Sequence, residues 1–327
     1  MTEAAVRPAG YLGFRDAAAA ILGRHEGQAA LNVFGFTDVY AEGPGDLRPA
    51  YAFLEAQGAA CVTTPALGLL PLAGTPAERT QADGGGALFG SPVGGSQLVA
   101  VPGFSAGRAV VVHRPGTGLV AVDDPAAAIR LPVEPVADDY LTVLDVAPAA
   151  CTTLVPEETA GDLGEAIVVR AQLGAAAELL GLTDRLLEDA AAYARQRQQF
   201  GRTLSSYQAM QHLLAWGATE RHQLVCLYDI AVARSADGSV DPQLSRAVKA
   251  MAGRVFHAVA QTATQVTGAI SFTWEYSLNR RHQRGLALDQ LAGSSADLVS
   301  AIGREARTEG IVRELFDLSD AVSSAAD

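Results

Sequence analysis

Tyr193-Ala194-Arg195-Gln196-Arg197-Gln198-Gln199-Phe200-Gly201-Arg202, followed by Ser206-Tyr207-Gln208-Ala209-Met210-Gln211-His212-Leu213-Leu214-Ala215, is the stretch on which the fold turns. A Phe-Gly break interrupts sequence that is helical in character on both sides. Before it, Ile167 to Arg197 is rich in Ala and Leu. After it, Ser205 to Arg234 places Tyr207, Met210, Leu214, Val225 and Tyr228 largely along one stripe. A third helix is expected from Asp241-Pro242, an N-cap followed by proline at the first helical position, with Leu244, Val248, Met251, Val255, Val259 and Val266 at helical steps. A last one is expected from about Ser295, using Leu298, Ile302 and Ile311. Amphipathic helices of this length with short connections predict an antiparallel four-helix bundle over residues 161–327. Apolar residues on more than one side of Ile167 to Leu187 argue that association buries part of it.

Working towards the amino terminus, the texture changes twice. Between residues 81 and 160 short β-rich runs alternate with turn residues: Leu98 to Val101, Ala109 to His113, Leu119 to Val122, Ile129 to Val133 and Leu141 to Val146. Gly84-Gly85-Gly86, Pro115-Gly116-Thr117-Gly118 and Asp138-Asp139 punctuate them, predicting a small β domain. Residues 1–80 are expected to form a helical domain, with helices over Phe14 to Gly23 and Asp46 to Gln57. Asp46, after the Gly43-Pro44-Gly45 turn, is the expected N-cap of the second. The fold class is therefore α+β and mostly α.

A chain of 327 residues, 49% of them hydrophobic, can bury a large core. The 24 basic residues stand against 36 acidic ones, a net charge of −12, so there is no basic footprint for nucleic acid. An anionic ligand needs locally clustered arginines instead. Met1 to Gly10 has no apolar run of signal-peptide length, and the sequence reading finds no stretch fit to span a bilayer, so a cytoplasmic protein without membrane contact is expected. Cys61, Cys151 and Cys226 are read as small hydrophobes, and the six scattered histidines are assigned no metal.

Arg197 lies at a helix end beside the Phe-Gly turn, where a guanidinium can grip a pyrophosphate through two hydrogen bonds. Gln265 and the amides around Gly268 add neutral donors. Taken alone, these residues also fit an ordinary solvated helix end. Three stretches together are more specific: the one quoted above; Gln265-Val266-Thr267-Gly268-Ala269-Ile270-Ser271-Phe272-Thr273-Trp274-Glu275-Tyr276; and Leu70 to Arg79, with Gly74-Thr75-Pro76-Ala77-Glu78-Arg79. They resemble segments of the acyl-CoA dehydrogenase family, whose helical, β, helical order is also repeated here. That resemblance implies FAD as cofactor and an acyl-CoA substrate. It makes Arg197, Gln199, Phe200, Gln265, Gly268 and Ala269 the candidates for contacting flavin dinucleotide held by a neighbouring subunit. Ala269 and Ser271 depart from the glycines usual in that turn, and a methyl at 269 is expected to obstruct a phosphate.

The family's reaction needs a carboxylate to take the proton alpha to the thioester. One of its two positions falls in Leu288-Asp289-Gln290-Leu291-Ala292-Gly293-Ser294-Ser295, where Ala292 stands at the base position; the other falls at Arg170-Ala171-Gln172. Neither carries an acid. Asp289 is a weak substitute, read as a solvated charge on a helix flank, and Glu178 is read as one half of a buried pair with an arginine. The family's flavin-cradling loop has its nearest echo in Gly90-Ser91-Pro92-Val93-Gly94-Gly95-Ser96-Gln97, without its acidic residues, and that segment is read as a turn-rich loop.

With these losses the chain resembles the shortened, non-catalytic subunit of heteromeric acyl-CoA dehydrogenases of the sterol side-chain type. FAD is then shared with, or mostly held by, a second acyl-CoA dehydrogenase subunit that carries the base. A repurposed homomeric enzyme of secondary metabolism and a non-catalytic scaffold for CoA esters or proteins remain open alternatives at this point. Arg280, Arg281 and Arg284 form a second basic cluster, suited to a phosphate, a partner's acidic face or a solvated helix end.

Overall fold

Residues 7, 10–40, 46–79, 86–93, 97–105, 107–130, 140–235 and 241–309 are described by the computed structural model. One helix rich in alanine and glycine organises them. This is α5, Glu157–Gln196, of 40 residues, and it packs against helices on several sides. The N-terminal layer is α1 (Tyr11–Leu22), α2 (Gly27–Phe34), α3 (Arg48–Ala60) and the single turn α4 (Ala66–Leu69). Contact between α3 and α5 is backbone to backbone: a β-carbon on Gly58 would strike the Glu178 carbonyl, and one on Gly181 the Glu55 carbonyl. Only glycine at both crossings lets the two helices come this close.

Helix α5 starts ten residues before the expected Ile167. By length and composition it reaches the threshold of a membrane span, with a mean hydropathy of 1.3 over its most apolar window, which corrects the reading that no such stretch exists. Since 83% of that window is buried inside the protein, it has the pattern of a central core helix.

The sheet has six strands: β1 (Leu88–Pro92), β2 (Leu98–Pro102), β3 (Val110–Arg114), β4 (Gly118–Val122), β5 (Leu141–Asp145) and β6 (Cys151–Pro156), in the order β5-β2-β1-β3-β4-β6. Only β1 and β3 pair in parallel. Strand β1 corrects the turn-rich loop expected from Gly90, because a β-carbon there would collide with Val99, so glycine lets neighbouring valines close over the strand. Pro92 sits at its end, where the ladder tolerates a missing donor. The expected strand at Ile129 is a single bridge to Leu144, and 131–133 lie outside the described residues. Edge strand β6 was not anticipated; its Cys-Thr-Thr-Leu-Val-Pro sequence is largely unburied. Phe89, Val111 and Leu119, on one face of the sheet, form an apolar cluster with Ile167 and Ala171 of α5.

After α5 comes a two-stranded hairpin, β7 (Gln198–Gln199) and β8 (Arg202–Thr203), then α6 (Gln208–Ser235), α7 (Pro242–Thr267), α8 (Ser277–Gln290) and α9 (Ser295–Glu309). The protein is mostly helical, as the sequence implied. Asp241 caps α7 by accepting the Gln243 amide at 2.8 Å. Asp46 stands one place outside the N-cap of α3, which is Leu47, yet still accepts the Arg48 amide at 3.0 Å. No separate helix was expected at α8. The Gly43-Pro44-Gly45 turn, Gly84-Gly85, Asp138-Asp139 and Ile311 lie outside the described residues.

Candidate functional site

The hairpin between α5 and α6 closes with two residues in the left-handed region, Phe200 at φ 53° and Gly201 at φ 80°. Positive φ at both central positions marks a primed two-residue turn. It forms because Gly201 adopts that conformation freely and because the flanks are braced. The Leu204 amide donates to the Arg197 carbonyl at 2.9 Å, the Tyr207 hydroxyl donates to the Gln199 carbonyl at 3.0 Å, and the Arg202 guanidinium lies 3.8 Å over the Tyr207 ring. Arg197 and Gln199 are exposed, and Phe200 is 93% exposed. A large aromatic is thus held in a strained conformation while burying nothing in its own chain.

A second exposed feature follows α7. Gly268, at φ 70° and ψ −148°, begins a tight turn that runs to Phe272. A β-carbon at 268 would meet nothing, so the glycine is there for its backbone conformation alone. Gln265, Gly268 and Ala269 are exposed, as are Phe272 and Trp274. No hydrogen bond or ring contact joins this turn to the hairpin among the described residues. The elements behind them are tied: Tyr193 meets Tyr276 edge to face at 6.2 Å, and Arg281 donates to Asp189 at 2.6 Å.

The third feature is the turn after α8. Ala292 has φ 56° and Gly293 φ 100°. The Ala292 amide donates to the Ser91 hydroxyl of β1 at 2.9 Å, and its carbonyl accepts from the Gln172 side chain at 3.2 Å. Gln172 in turn accepts from the Ser245 hydroxyl of α7 at 2.7 Å. Ala292 and Ala171, from the two stretches that match the family's base positions, line one crevice with Leu67, Phe89, Ser91, Pro102 and Leu291. Its volume of about 10 Å³ is the room one water molecule takes. No carboxylate is among these lining residues.

Asp289 is not a solvated flank charge. It is buried, 3.7 Å from the Lys249 ammonium and 3.3 Å from His257 Nε2, and it accepts from both the amide and the hydroxyl of Ser295. Lys249, fully buried on α7, donates to the carbonyls of Asp289 (2.9 Å) and Gly293 (3.1 Å), and so clamps the turn that carries Ala292. Burial brings its ammonium down to about 8 against the opposing pull of Asp289.

Glu178 forms the buried arginine pair expected of it, with Arg284 at 3.8 Å. It also accepts from the Tyr140 hydroxyl at 2.6 Å and the Gln57 side chain at 3.0 Å. Burial pushes its carboxyl up to about 7, with Arg284 and the two hydrogen bonds opposing. The basic cluster on α8 is thereby divided. Arg284 is buried, stacked 4.1 Å over Tyr140 and bonded to Thr63 at 2.7 Å; Arg281 is bound to Asp189. Neither is a free anion site.

Ser91, Gln172 and Lys249 were missed by sequence reasoning. A signal existed for Lys249, which shares a helical face with Ser245, Ala252 and Phe256, all buried. None existed for Ser91, whose partner is 201 positions away.

Residues 168–306 match the family described as acyl-CoA dehydrogenase, C-terminal domain. Acyl-CoA dehydrogenase IpdE2 of Mycolicibacterium smegmatis is 30% identical over 261 residues, 76% of each chain. The chain belongs to the acyl-CoA dehydrogenase family. Solved acyl-CoA dehydrogenase structures agree in fold. A variant of the Tcur3481-Tcur3483 steroid ACAD superposes with a TM-score of 0.68 at 21% identity, over 92% of this chain and 98% of that one. The ChsE4-ChsE5 complex of Mycobacterium tuberculosis gives 0.66 at 18% identity, over 91% and 98%.

Acyl-CoA dehydrogenases bind FAD. Two parts of this chain fit that cofactor differently. Arg197, Gln199, Gln265 and the backbone at Gly268 and Ala269 present exposed donors that suit a dinucleotide lying against the surface. The crevice beside Ala292 is lined by apolar side chains and the Ser91 hydroxyl and carries no charged donor for a phosphate among its lining residues.

Proposed function

We propose that this chain is the subunit without a catalytic base in a heteromeric FAD-dependent acyl-CoA dehydrogenase that acts on a bulky, sterol side-chain type of acyl-CoA thioester. A second subunit of the family supplies the glutamate and most of the FAD site. This chain extends Arg197, Gln199, Phe200, Gln265, Gly268 and Ala269 towards that flavin.

The observation that carries the reading is the Ala292 crevice. Proton removal alpha to a thioester needs an acceptor at hydrogen-bond distance, and the lining there consists of apolar side chains and one hydroxyl already bonded to a backbone amide. The bound FAD supplies the acceptor for the hydride from the beta carbon. This chain's residues bind and orient: the guanidinium of Arg197 faces solvent at the foot of a rigid hairpin, where a phosphate of a neighbour's dinucleotide can reach it. The exposed, strained Phe200 supports a role outside its own subunit, since its ring gains almost no burial against the described residues. Two of the structural neighbours, a steroid ACAD and the ChsE4-ChsE5 complex, support the substrate class and the pairing.

Co-expression with a candidate second family member from the same genome tests this. The two chains are expected to co-elute as a yellow complex that oxidises a sterol side-chain acyl-CoA, whereas this chain alone is colourless and inactive. A purified homomer holding stoichiometric FAD and turning over an acyl-CoA would refute the reading.

A further inference from the structure

Arg7 lies outside every helix and strand, ahead of Gly10, the left-handed N-cap of α1 at φ 79°. Pro8 follows it and disfavours a helical backbone at position 7. Its side chain is nonetheless only 1% exposed. The guanidinium meets Glu55 of α3 through both terminal nitrogens, at 2.7 and 3.3 Å, and its Nε stands 3.5 Å from Asp229 of α6. Its carbon lies 5.0 Å from the centre of the Tyr11 ring of α1, a cation–π distance. Tyr11 donates to Glu55 at 3.0 Å, and because that proton is spent, the Tyr228 hydroxyl of α6 is the donor in the 3.1 Å contact between the two tyrosines. Burial, with Glu55 beside them, pushes both hydroxyls up, so they stay protonated.

Glu55 and Asp229 are both buried, and they come from different layers of the fold. Arg7 is the cation they share. Withdrawing it strands charge in the interior, which costs far more than leaving a surface carboxylate unpaired. A forked, planar guanidinium reaches both carboxylates at once, whereas a compact ammonium is a single point of charge. We infer that Glu55, Asp229, Tyr11 and Tyr228 form a receptor for one guanidinium, filled in cis by Arg7, and that the segment ahead of α1 is a strap that fastens α1 and α3 to α6 when this cation is seated. The receptor shares no residue with the Ala292 crevice or with either exposed turn, and the inference does not rest on the function proposed above.

Two measurements on the full chain test it. Phenylglyoxal, which modifies accessible arginines, is mapped peptide by peptide on the unaltered protein. Arg7 is expected to react at least about tenfold more slowly than the exposed Arg24, because reagent reaches it only while the strap is out. Arg7→Ala is then expected to lower the melting temperature. Ethylguanidinium, which carries the atoms that variant lacks, should recover most of the loss and leave wild type unmoved; ethylammonium, with the charge but no fork, should recover little. Arg7→Lys is expected to melt below wild type for the same reason. Equal reaction of Arg7 and Arg24, a wild-type melting temperature for Arg7→Ala, or equal recovery by the two cations overturns the inference. If Arg7→Ala does not fold, Arg7→Lys is read in its place, and a wild-type melting temperature there overturns it too, since charge without the fork would suffice.

Discussion

Ser91 and Ala292, 201 positions apart, are joined by a hydrogen bond of 2.9 Å from the alanine amide to the serine hydroxyl. The bond fastens the turn after α8 to strand β1, beside the position that the family resemblance assigns to the base. Ser91→Ala leaves that amide without its acceptor beside an apolar crevice. A loss of ~1–3 kcal/mol is expected, the desolvation cost of an unsatisfied donor, measured as a lower urea midpoint with unchanged slope.

Restoring an acid at 292 does not restore chemistry. Ala292→Glu forces a carboxylate into space for one water, between Phe89, Leu67 and Leu291. The expected cost is about 3 kcal/mol or more from overpacking and charge burial, with no acyl-CoA oxidation by the chain alone. A gain of turnover in a dye-reduction assay would contradict this.

Lys249 holds two carbonyls and neutralises Asp289. Lys249→Met strands a buried carboxylate and is expected to cost ~3–5 kcal/mol at pH 7. The folded-state ammonium is held at about 8, below its ordinary 10.5. Between those values the unfolded chain binds more protons, so this group's contribution rises from pH 8 to 10.5 and is lost as pH falls through 8. The stability gap between wild type and variant should therefore widen from pH 8 to 10.

Glu178 titrates in the opposite sense. Its carboxyl is raised from 4.5 to about 7 in the folded chain. The folded state binds the extra proton, so the contribution is full below pH 4.5 and is lost as pH rises through 7. Glu178→Gln should flatten the fall in stability between pH 5 and 7.5 seen in wild type, whatever its effect on absolute stability. Parallel pH profiles for the two proteins would show that the carboxyl does not titrate there.

On the hairpin, two variants separate folding from assembly. Arg197→Ala is expected to leave the isolated chain's melting temperature unchanged, because the side chain is exposed and donates to nothing among the described residues. Phe200→Gly should stabilise the isolated chain by about 1 kcal/mol through relief of the left-handed conformation. In the heteromeric complex both should lower the flavin content, read from the ratio of visible to ultraviolet absorbance.

Much of the architecture was legible because it follows from local patterns. The Asp241-Pro242 start of α7, the Phe-Gly hairpin and four of the six strands rest on capping, turn chemistry and alternation within a few residues. Strand β1 was not legible. Its Gly-Ser-Pro composition reads as a turn, and only neighbouring valines, supplied by two other strands, make glycine the residue that fits there. Arg284 and Asp289 were misjudged for a related reason. A helix-flank charge in the sequence looks solvated until the facing helices are known, and their partners Glu178 and Lys249 come from α5 and α7.

By itself the sequence determined the helical, β, helical order, the long bundle helices, the exposed arm of Arg197 and Phe200, and the absence of an acid at position 292. These depend on residue identity and short-range spacing, which a linear chain carries in full. Only the tertiary structure decided that Ser91, Ala171 and Ala292 line one crevice, that Gln172 bonds the Ala292 carbonyl, and that Lys249 holds the turn beside it. Burial and hydrogen bonding at that point are set by segments more than a hundred residues apart, and packing in three dimensions is what brings them to the same few ångströms.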